Sequence, residues 1–298
     1  MIDLVCTIDE NYVPHCAAML ASVMENTKSQ LNVYIIHDGI NSKKLKKLTG
    51  FVEERGHTAT GLMCDIDMLM GAPVTDHISL ATYFRLLIPK LLPQSCRKVL
   101  FLDSDIVVVG DIYELYSTPL EGAAIAAVHG GFPPEKVRQN LNFSSRDPYF
   151  NAGVLLINLD EWRRIDLSEQ GIELIKNRPE KLITWDQDVL NFLLRRKWKR
   201  LNPKWNAQQN LTDKPDDHLL ELGYTHDELE GIRKNRIITH FIGPGKPWTV
   251  WFQHEDKLKY YKYLKKTPFS IREVLQPPGL IVYIKFLIKT KLLQPIQF

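Results

Sequence analysis

The stretch Val99-Leu100-Phe101-Leu102-Asp103-Ser104-Asp105-Ile106-Val107-Val108 decides the reading of the chain. An uninterrupted apolar run ends in two carboxylates one residue apart. The run reads as a buried strand, and a strand end is stiff enough to hold side chains at fixed positions. Residues i and i+2 of a strand point to one side, so this spacing lets Asp103 and Asp105 converge on one ion. Two hard oxygen ligands so close together suit a divalent cation, and such a cation commonly bridges to a diphosphate. The blander explanation is a pair of turn-forming aspartates.

Upstream of this run, residues 3–8 read as a buried strand followed by Asp9-Glu10-Asn11. Pro14 suits the first turn of a helix, and Cys16, Met19, Leu20, Val23 and Met24 recur at helical spacing. A strand at 32–37, a helix at 43–55 with Ser42 as its candidate cap, and a strand near 59–64 follow. Downstream, 106–109, 123–128 and 153–158 read as strands. Asp160 is expected to cap a helix toward 177, 186–196 reads as helical, and 236–241 is a late strand ending in His240-Phe241. Strands alternating with helices predict an α/β fold with a mostly parallel sheet, here one domain of about 250 residues plus a tail. Ligands of such sheets bind outside the carboxyl ends of the strands, where Asp9, Asp103, Asp105 and His240 all fall.

The 298 residues are 44% hydrophobic, ample for a sizeable core, and carry a net charge of +3. That charge is unevenly spread. Residues 257–298 hold nine Lys or Arg against the single acid Glu273, a net +8, which leaves the rest of the chain at −5. The four cysteines form no CxxC pair, so neither a zinc nor a redox motif is indicated, and Cys6 reads as a small buried hydrophobe. No signal peptide is visible at the start, and no apolar run reaches the roughly 20 residues that span a bilayer. A cytoplasmic location is the expectation.

His240 precedes Phe241-Ile242-Gly243-Pro244-Gly245-Lys246-Pro247-Trp248. A neutral imidazole completes a mixed oxygen–nitrogen site for Mn²⁺, Gly243 and Gly245 allow close backbone approach, and Lys246 is a point charge for a phosphate. A lone histidine at a strand end is otherwise a structural hydrogen-bonder. Trp185-Asp186-Gln187-Asp188 opens an amphipathic segment in which Asp186 is a credible helix cap. Asn151 alone reads as a turn residue and Arg85 as a surface charge. A phosphatase of the haloacid dehalogenase type also places DxD after an apolar strand. It usually does so on the first strand, whereas about a hundred residues precede Asp103 here.

Four blocks occur in order: Asp103-Ser104-Asp105, Tyr149-Phe150-Asn151-Ala152-Gly153-Val154-Leu155-Leu156-Ile157-Asn158, Asp186-Gln187-Asp188-Val189-Leu190-Asn191, and His240 through Trp248. Together they resemble the family 8 glycosyltransferases, among them bacterial lipopolysaccharide galactosyl- and glucosyltransferases and the glycogenins. The likeness runs from the first strand to about Trp248. It implies a GT-A nucleotide-sugar-binding fold over residues 1–250, with 251–298 as a basic extension. It implies transfer of a hexose from a UDP-sugar to a saccharide acceptor, with retention and with Mn²⁺ (or Mg²⁺). Carried over, Asp103, Asp105 and His240 are metal ligands. Thr7, Asp9, Asn11 and Tyr12 meet the uridine, and Ser104 lies by the ribose. Gly243 and Lys246 meet the diphosphate; Arg85, Asn151, Asp186 and Gln187 line the donor sugar. Gln187 is expected to stabilise the sugar cation, with Asp186 or Asp188 as nucleophile if a glycosyl-enzyme forms. Same-face attack assisted by the leaving phosphate is the alternative, and the one favoured. Residues 129–148 and 203–226 are expected to frame the acceptor. A nucleotide-sugar-binding protein without turnover and a self-glucosylating enzyme are the rival readings.

In the tail, lysines interleave with Tyr260, Tyr261 and Tyr263, and Leu280-Ile281-Val282-Tyr283-Ile284-Lys285-Phe286-Leu287-Ile288-Lys289 follows. A short cationic amphipathic segment suits an interfacial anchor on anionic lipid, as well as a helix packed on the domain. The anchor predicts a peripheral position on the inner membrane face and a lipid-linked acceptor. Nucleic acid is not expected as a partner, because no recognition module accompanies the charge.

Overall fold

The computed structural model describes residues 1–73, 80–212, 214–243, 245–250 and 252–274. Among these, the strands in chain order are β1 (Ile2–Ile8), β2 (Leu31–His37), β3 (Thr58–Met63), β4 (Lys98–Leu102), β5 (Ile106–Val108), β6 (Ile125–His129), β7 (Phe150–Asn158), β8 (Lys199–Leu201), β9 (Ala207–Gln208) and β10 (Ile238–His240). Seven build one sheet in the order β3-β2-β1-β4-β7-β6-β8, and β5, β10 and β9 build a second. β1 runs parallel to β2 and β4, and β2 to β3, while β7 runs antiparallel to both β4 and β6. The α/β architecture expected from the sequence is present.

The apolar runs follow from burial on both sheet faces. Leu4, Cys6 and Ile8 of β1 and Leu100 and Leu102 of β4 share one core with α1 (Val13–Asn26) and α2 (Ser42–Glu53). The alternate residues Val5, Val99 and Phe101 face a second core with Tyr83, Phe84, Trp162 and Leu190. Pro14 sits in the first turn of α1, as expected. Two caps lie earlier than expected. Asn41, not Ser42, caps α2 by accepting from Lys43 N–H at 3.0 Å. Asn158, not Asp160, accepts from Glu161 N–H at 3.1 Å. The single helix expected toward 177 is two, Leu159–Arg164 and Leu167–Asn177, separated where Asp166 takes φ +50°. All four cysteines are free and buried.

The helix Lys257–Leu264 packs on α1 and contributes Tyr260, Tyr263 and Leu264 to the first core. Tyr260 Oη lies 2.7 Å from His15 Nδ1, and Asn26 Nδ2 donates to Tyr263 Oη at 2.9 Å. Several lysines of this segment are engaged. Lys257 donates to the carbonyls of Thr249 and Phe252, Lys259 pairs with Asp256, and Lys262 and Lys266 pair with Glu25. The stretch 280–289, read as an anchor, lies outside the described residues. Among the described residues no helix is long and apolar enough to cross a membrane.

Candidate active site

β4 ends at Leu102, and Asp103-Ser104-Asp105 turns the chain from the large sheet into β5 of the small one. The two aspartates therefore converge through a turn and not through strand alternation. Asp103 N–H donates to the Gly153 carbonyl at 2.9 Å, the last rung beside β7. β10 pairs antiparallel with β5, placing His240 opposite Ile106, and Phe241 N–H donates to the Asp105 carbonyl at 3.0 Å. That register brings the imidazole to the turn. His240 Nε2 lies 3.2 Å from Asp105 Oδ1 and 3.8 Å from Asp103 Oδ2. One ligand atom from each of the three residues lies within 4.8 Å of the others. Two carboxylates and an imidazole form a mixed donor set that fits a divalent metal. Gly153 floors this cradle: a Cβ there would stand 2.1 Å from His240 Cε1 and 2.7 Å from Asp103 Oδ2. The buried Ser104 hydroxyl has no hydrogen-bond partner.

The charges are arranged in alternation. Burial works against ionisation of Asp105, but Lys246 and His240 outweigh it and hold the carboxyl far below the usual range. Lys246 Nζ donates to Asp105 Oδ2, and to the Phe241 carbonyl at 2.7 Å. Asp103 moves the other way, raised by burial with Arg85 opposing. Arg85 is not a surface charge; it is 5% exposed, and its guanidinium sits 4.4 Å over the Phe101 ring. It lies 2.9 Å from Asp103 Oδ1 and 2.9 Å from Asp186 Oδ2, bridging the two carboxylates. Asp186 also accepts from Thr82 Oγ1 at 2.6 Å, and burial pushes its carboxyl up to about 6. Its side chain does not cap the helix; the cap position is Trp185, at φ +53°.

Each polar residue of Asp186-Gln187-Asp188-Val189-Leu190-Asn191 has its own anchor at the start of the helix Asp186–Leu193. Gln187 Oε1 accepts from Ala152 N–H and from Asn151 Nδ2, both at 3.1 Å. Asp188 accepts from Ile183 N–H and Thr184 N–H at 2.6 Å each, from Thr184 Oγ1 at 2.7 Å and from Tyr149 Oη at 2.5 Å. Asn191 takes both the N–H and the carbonyl of Phe150, at 2.8 and 2.9 Å. The helix is thereby pinned to the first residues of β7.

Beyond β1, Asp9 Oδ1 accepts from Asn11 N–H at 2.9 Å and Tyr12 N–H at 3.2 Å, folding 9–12 into a single turn. Burial raises the Tyr12 phenol, and so do the charges of Asp105, Asp9 and Asp103. His15 stacks on Trp248 at 3.6 Å, and Tyr12 meets Trp248 edge-on at 5.8 Å. Burial holds His15 down to about 3, so it is neutral. These rings fasten the Lys246 loop to α1.

A family model, "Glycosyl transferase family 8", matches residues 3–252. The chain belongs to this family. The transferase is 29% identical over 275 residues to General stress protein A of Bacillus subtilis (strain 168), covering 91% of the chain and 95% of that protein. It is 30% identical to lipopolysaccharide 1,2-glucosyltransferase of Escherichia coli (strain K12), covering 88% and 77%. Its fold matches the galactosyltransferase LgtC, solved with donor and acceptor sugar analogs, with a TM-score of 0.76 at 25% identity, covering 90% of this chain and 97% of that one. The GT-A fold expected from the sequence is thus the fold of the transferase.

Within the transferase, Arg85 joins Asp103 to Asp186, and Asn151 touches Gln187. Lys246 joins Asp105. Asp188 bonds to none of these and faces Tyr149, Ile183 and Thr184 instead. Sequence reasoning passed over Thr82, Asn206 and the packing role of Gly153. Only Gly153 carried a signal, as the small residue inside an apolar strand.

Proposed function

We propose that this transferase moves a hexose, glucose or galactose, from a UDP-sugar to a saccharide acceptor with retention, with Mn²⁺ held by Asp103, Asp105 and His240. One observation carries the reading: two carboxylates and an imidazole converge within 4.8 Å, with Lys246 bonded to one of them. Asp103, Asp105 and His240 would hold the cation, which would supply Lewis-acid stabilisation to the leaving diphosphate. A mixed oxygen–nitrogen set favours Mn²⁺ over Mg²⁺, which prefers oxygen alone. Lys246 adds a point charge, and Gly243 at φ +76° gives the loop a bend that bulkier residues resist. Thr7, Asp9, Asn11 and Tyr12 take the uridine side. The Ser104 hydroxyl, buried without a partner, suits a ribose hydroxyl. Arg85, Asn151, Asp186 and Gln187 take the sugar.

In the reaction the bond from the anomeric carbon to the β-phosphate oxygen breaks, and its electron pair leaves with UDP. The acceptor oxygen bonds to the same face, and its proton passes to the leaving phosphate. The engagement of both carboxylates supports this route over a glycosyl-enzyme. Asp188 accepts four hydrogen bonds, and Asp186 is shared between Arg85 and Thr82. Gln187 is uncharged and held by β7 at a fixed height.

The test is UDP release from UDP-glucose and UDP-galactose. Slow release is expected with Mn²⁺ and no acceptor, abolished by a chelator. No metal-dependent UDP binding and no release from either sugar would refute the reading. The proposal extends to a lipid-linked acceptor reached through the basic segment 257–298. Sedimentation with anionic vesicles checks that part, and equal binding by the full chain and a chain ending at residue 268 overturns it.

A further inference from the structure

We propose that Asn206 is a positioning residue that fixes which nitrogen of His240 is offered to the metal and ties that choice to the amides lining the donor sugar. The proposal rests on His240, Asp103 and Asp105 holding a cation. Two backbone N–H groups determine the direction of every amide in the chain of contacts, because a backbone nitrogen only donates. Ala152 N–H points at Gln187 Oε1 at 3.1 Å, and Gly153 N–H points at Asn151 Oδ1 at 3.0 Å. Asn151 therefore turns Nδ2 toward Gln187 and Oδ1 toward Asn206. The Asn206 atom 2.9 Å from that Oδ1 has to be a donor, its Nδ2. Asn206 Oδ1 is then the atom 3.0 Å from His240 Nδ1.

A carbonyl oxygen only accepts, so His240 Nδ1 carries a proton. Nε2 is the nitrogen left to present a lone pair, and it is the one facing Asp103 and Asp105. Partners of this kind behind a metal-ligating histidine fix its tautomer and ring orientation. Asn206 is 0% exposed and His240 3%, so no bulk water replaces the bond when it is removed. Asn206 immediately precedes β9, which runs parallel to β10 with Gln208 opposite His240, so the Asn206 amide reaches the imidazole from two positions before that partner. The same amide thus serves two ends: its oxygen holds the metal ligand, and its nitrogen holds Asn151.

The experiment uses two variants and three readouts, two of which need no turnover. Side-chain ¹⁵N spectra of the metal-free protein report the His240 tautomer, and electron paramagnetic resonance of free Mn²⁺ reports affinity. In the native protein His240 is expected to be protonated at Nδ1. Asn206→Ala is expected to mix the tautomers and weaken Mn²⁺ binding about 10- to 100-fold. Asn206→Asp still accepts from Nδ1 but no longer donates to Asn151. It is expected to keep the tautomer and most of the Mn²⁺ affinity while KM for the nucleotide sugar rises. Native tautomer and native affinity in Asn206→Ala overturn the proposal. So does a loss of Mn²⁺ in Asn206→Asp as large as in the alanine variant, which decides the matter even where the alanine variant does not fold. If the native protein binds no Mn²⁺, the metal reading fails, and the tautomer spectra still decide the role of Asn206.

Discussion

Replacing Gly153 by alanine adds one methyl group where the site has no space for it. Built on the native backbone, the new Cβ lies 2.1 Å from His240 Cε1 and 2.7 Å from Asp103 Oδ2. Carbon–carbon contacts settle at about 3.5–4.0 Å, so the imidazole would have to retreat by well over ~1 Å. It cannot retreat freely, because Asn206 bonds its Nδ1 and the ring is 3% exposed. Moving β7 instead breaks the 2.9 Å bond from Asp103 N–H to the Gly153 carbonyl. Metal–ligand distances tolerate only about 0.2 Å, so a shift of this size removes one ligand. Overpacking in a tight core costs about 1–3 kcal/mol, which a fold with two large cores survives. The expected variant is therefore folded, slightly destabilised, and deficient in Mn²⁺ binding. Urea titration measures the first two properties, and Mn²⁺ titration with and without UDP measures the third. A folded Gly153→Ala protein with native Mn²⁺ affinity and native UDP release would refute the geometry argued for the centre.

Three other outcomes are expected. His15 is held near pKa 3 by burial, below the roughly 6.5 of an unfolded chain, so its contribution is full above about 6.5 and is lost as pH falls toward 3. Going from pH about 7.5 to about 5 should cost ~2 kcal/mol through this residue, and urea curves of His15→Gln should lack that part of the slope; an unchanged slope counts against it. Asp188→Ala strands two backbone N–H groups and two hydroxyls, and a loss of roughly 3 kcal/mol or more is expected. Asp186→Asn, by contrast, leaves Arg85 its Asp103 partner and should unfold near the native midpoint while turnover falls about 100-fold. Finally, Mn²⁺ at a hundred times its Kd should stabilise the fold by about 2.7 kcal/mol, read as a thermal shift that a chelator reverses.

The sequence made β1, β2, β4 and β7 legible because each is buried on both faces and so reads as an apolar run. It also marked the aspartate pair and His240, since polar residues abruptly end those runs, although the pair converges through a turn where strand alternation was expected. β8 and β9, three and two residues long, have no periodicity to detect. The roles of Thr82 and Arg85 lie in their shared partner Asp186, 104 positions from Thr82, and nothing local announces them. Asp186 has the local form of a cap, yet a buried guanidinium outcompetes the helix end for its carboxylate. Asn206 stands between Trp205 and Ala207 with no pattern around it, and becomes meaningful only once β9 lies beside β10.

The distance along the chain between the two halves of the centre has a consequence during synthesis. Asp105 and Lys246 are 141 residues apart, and His240 belongs to the later half. At about 5–20 residues per second, roughly 7 to 28 seconds separate their emergence. By then β1, β2, β4 and β7 have all been made, so a nascent chain can assemble most of the large sheet while Asp103 and Asp105 still lack their histidine and lysine. Tyr260, which bonds to His15 beneath the Trp248 loop, arrives later still. A ribosome-bound chain therefore holds most of the large sheet before the residues proposed to hold the metal and the diphosphate are all present.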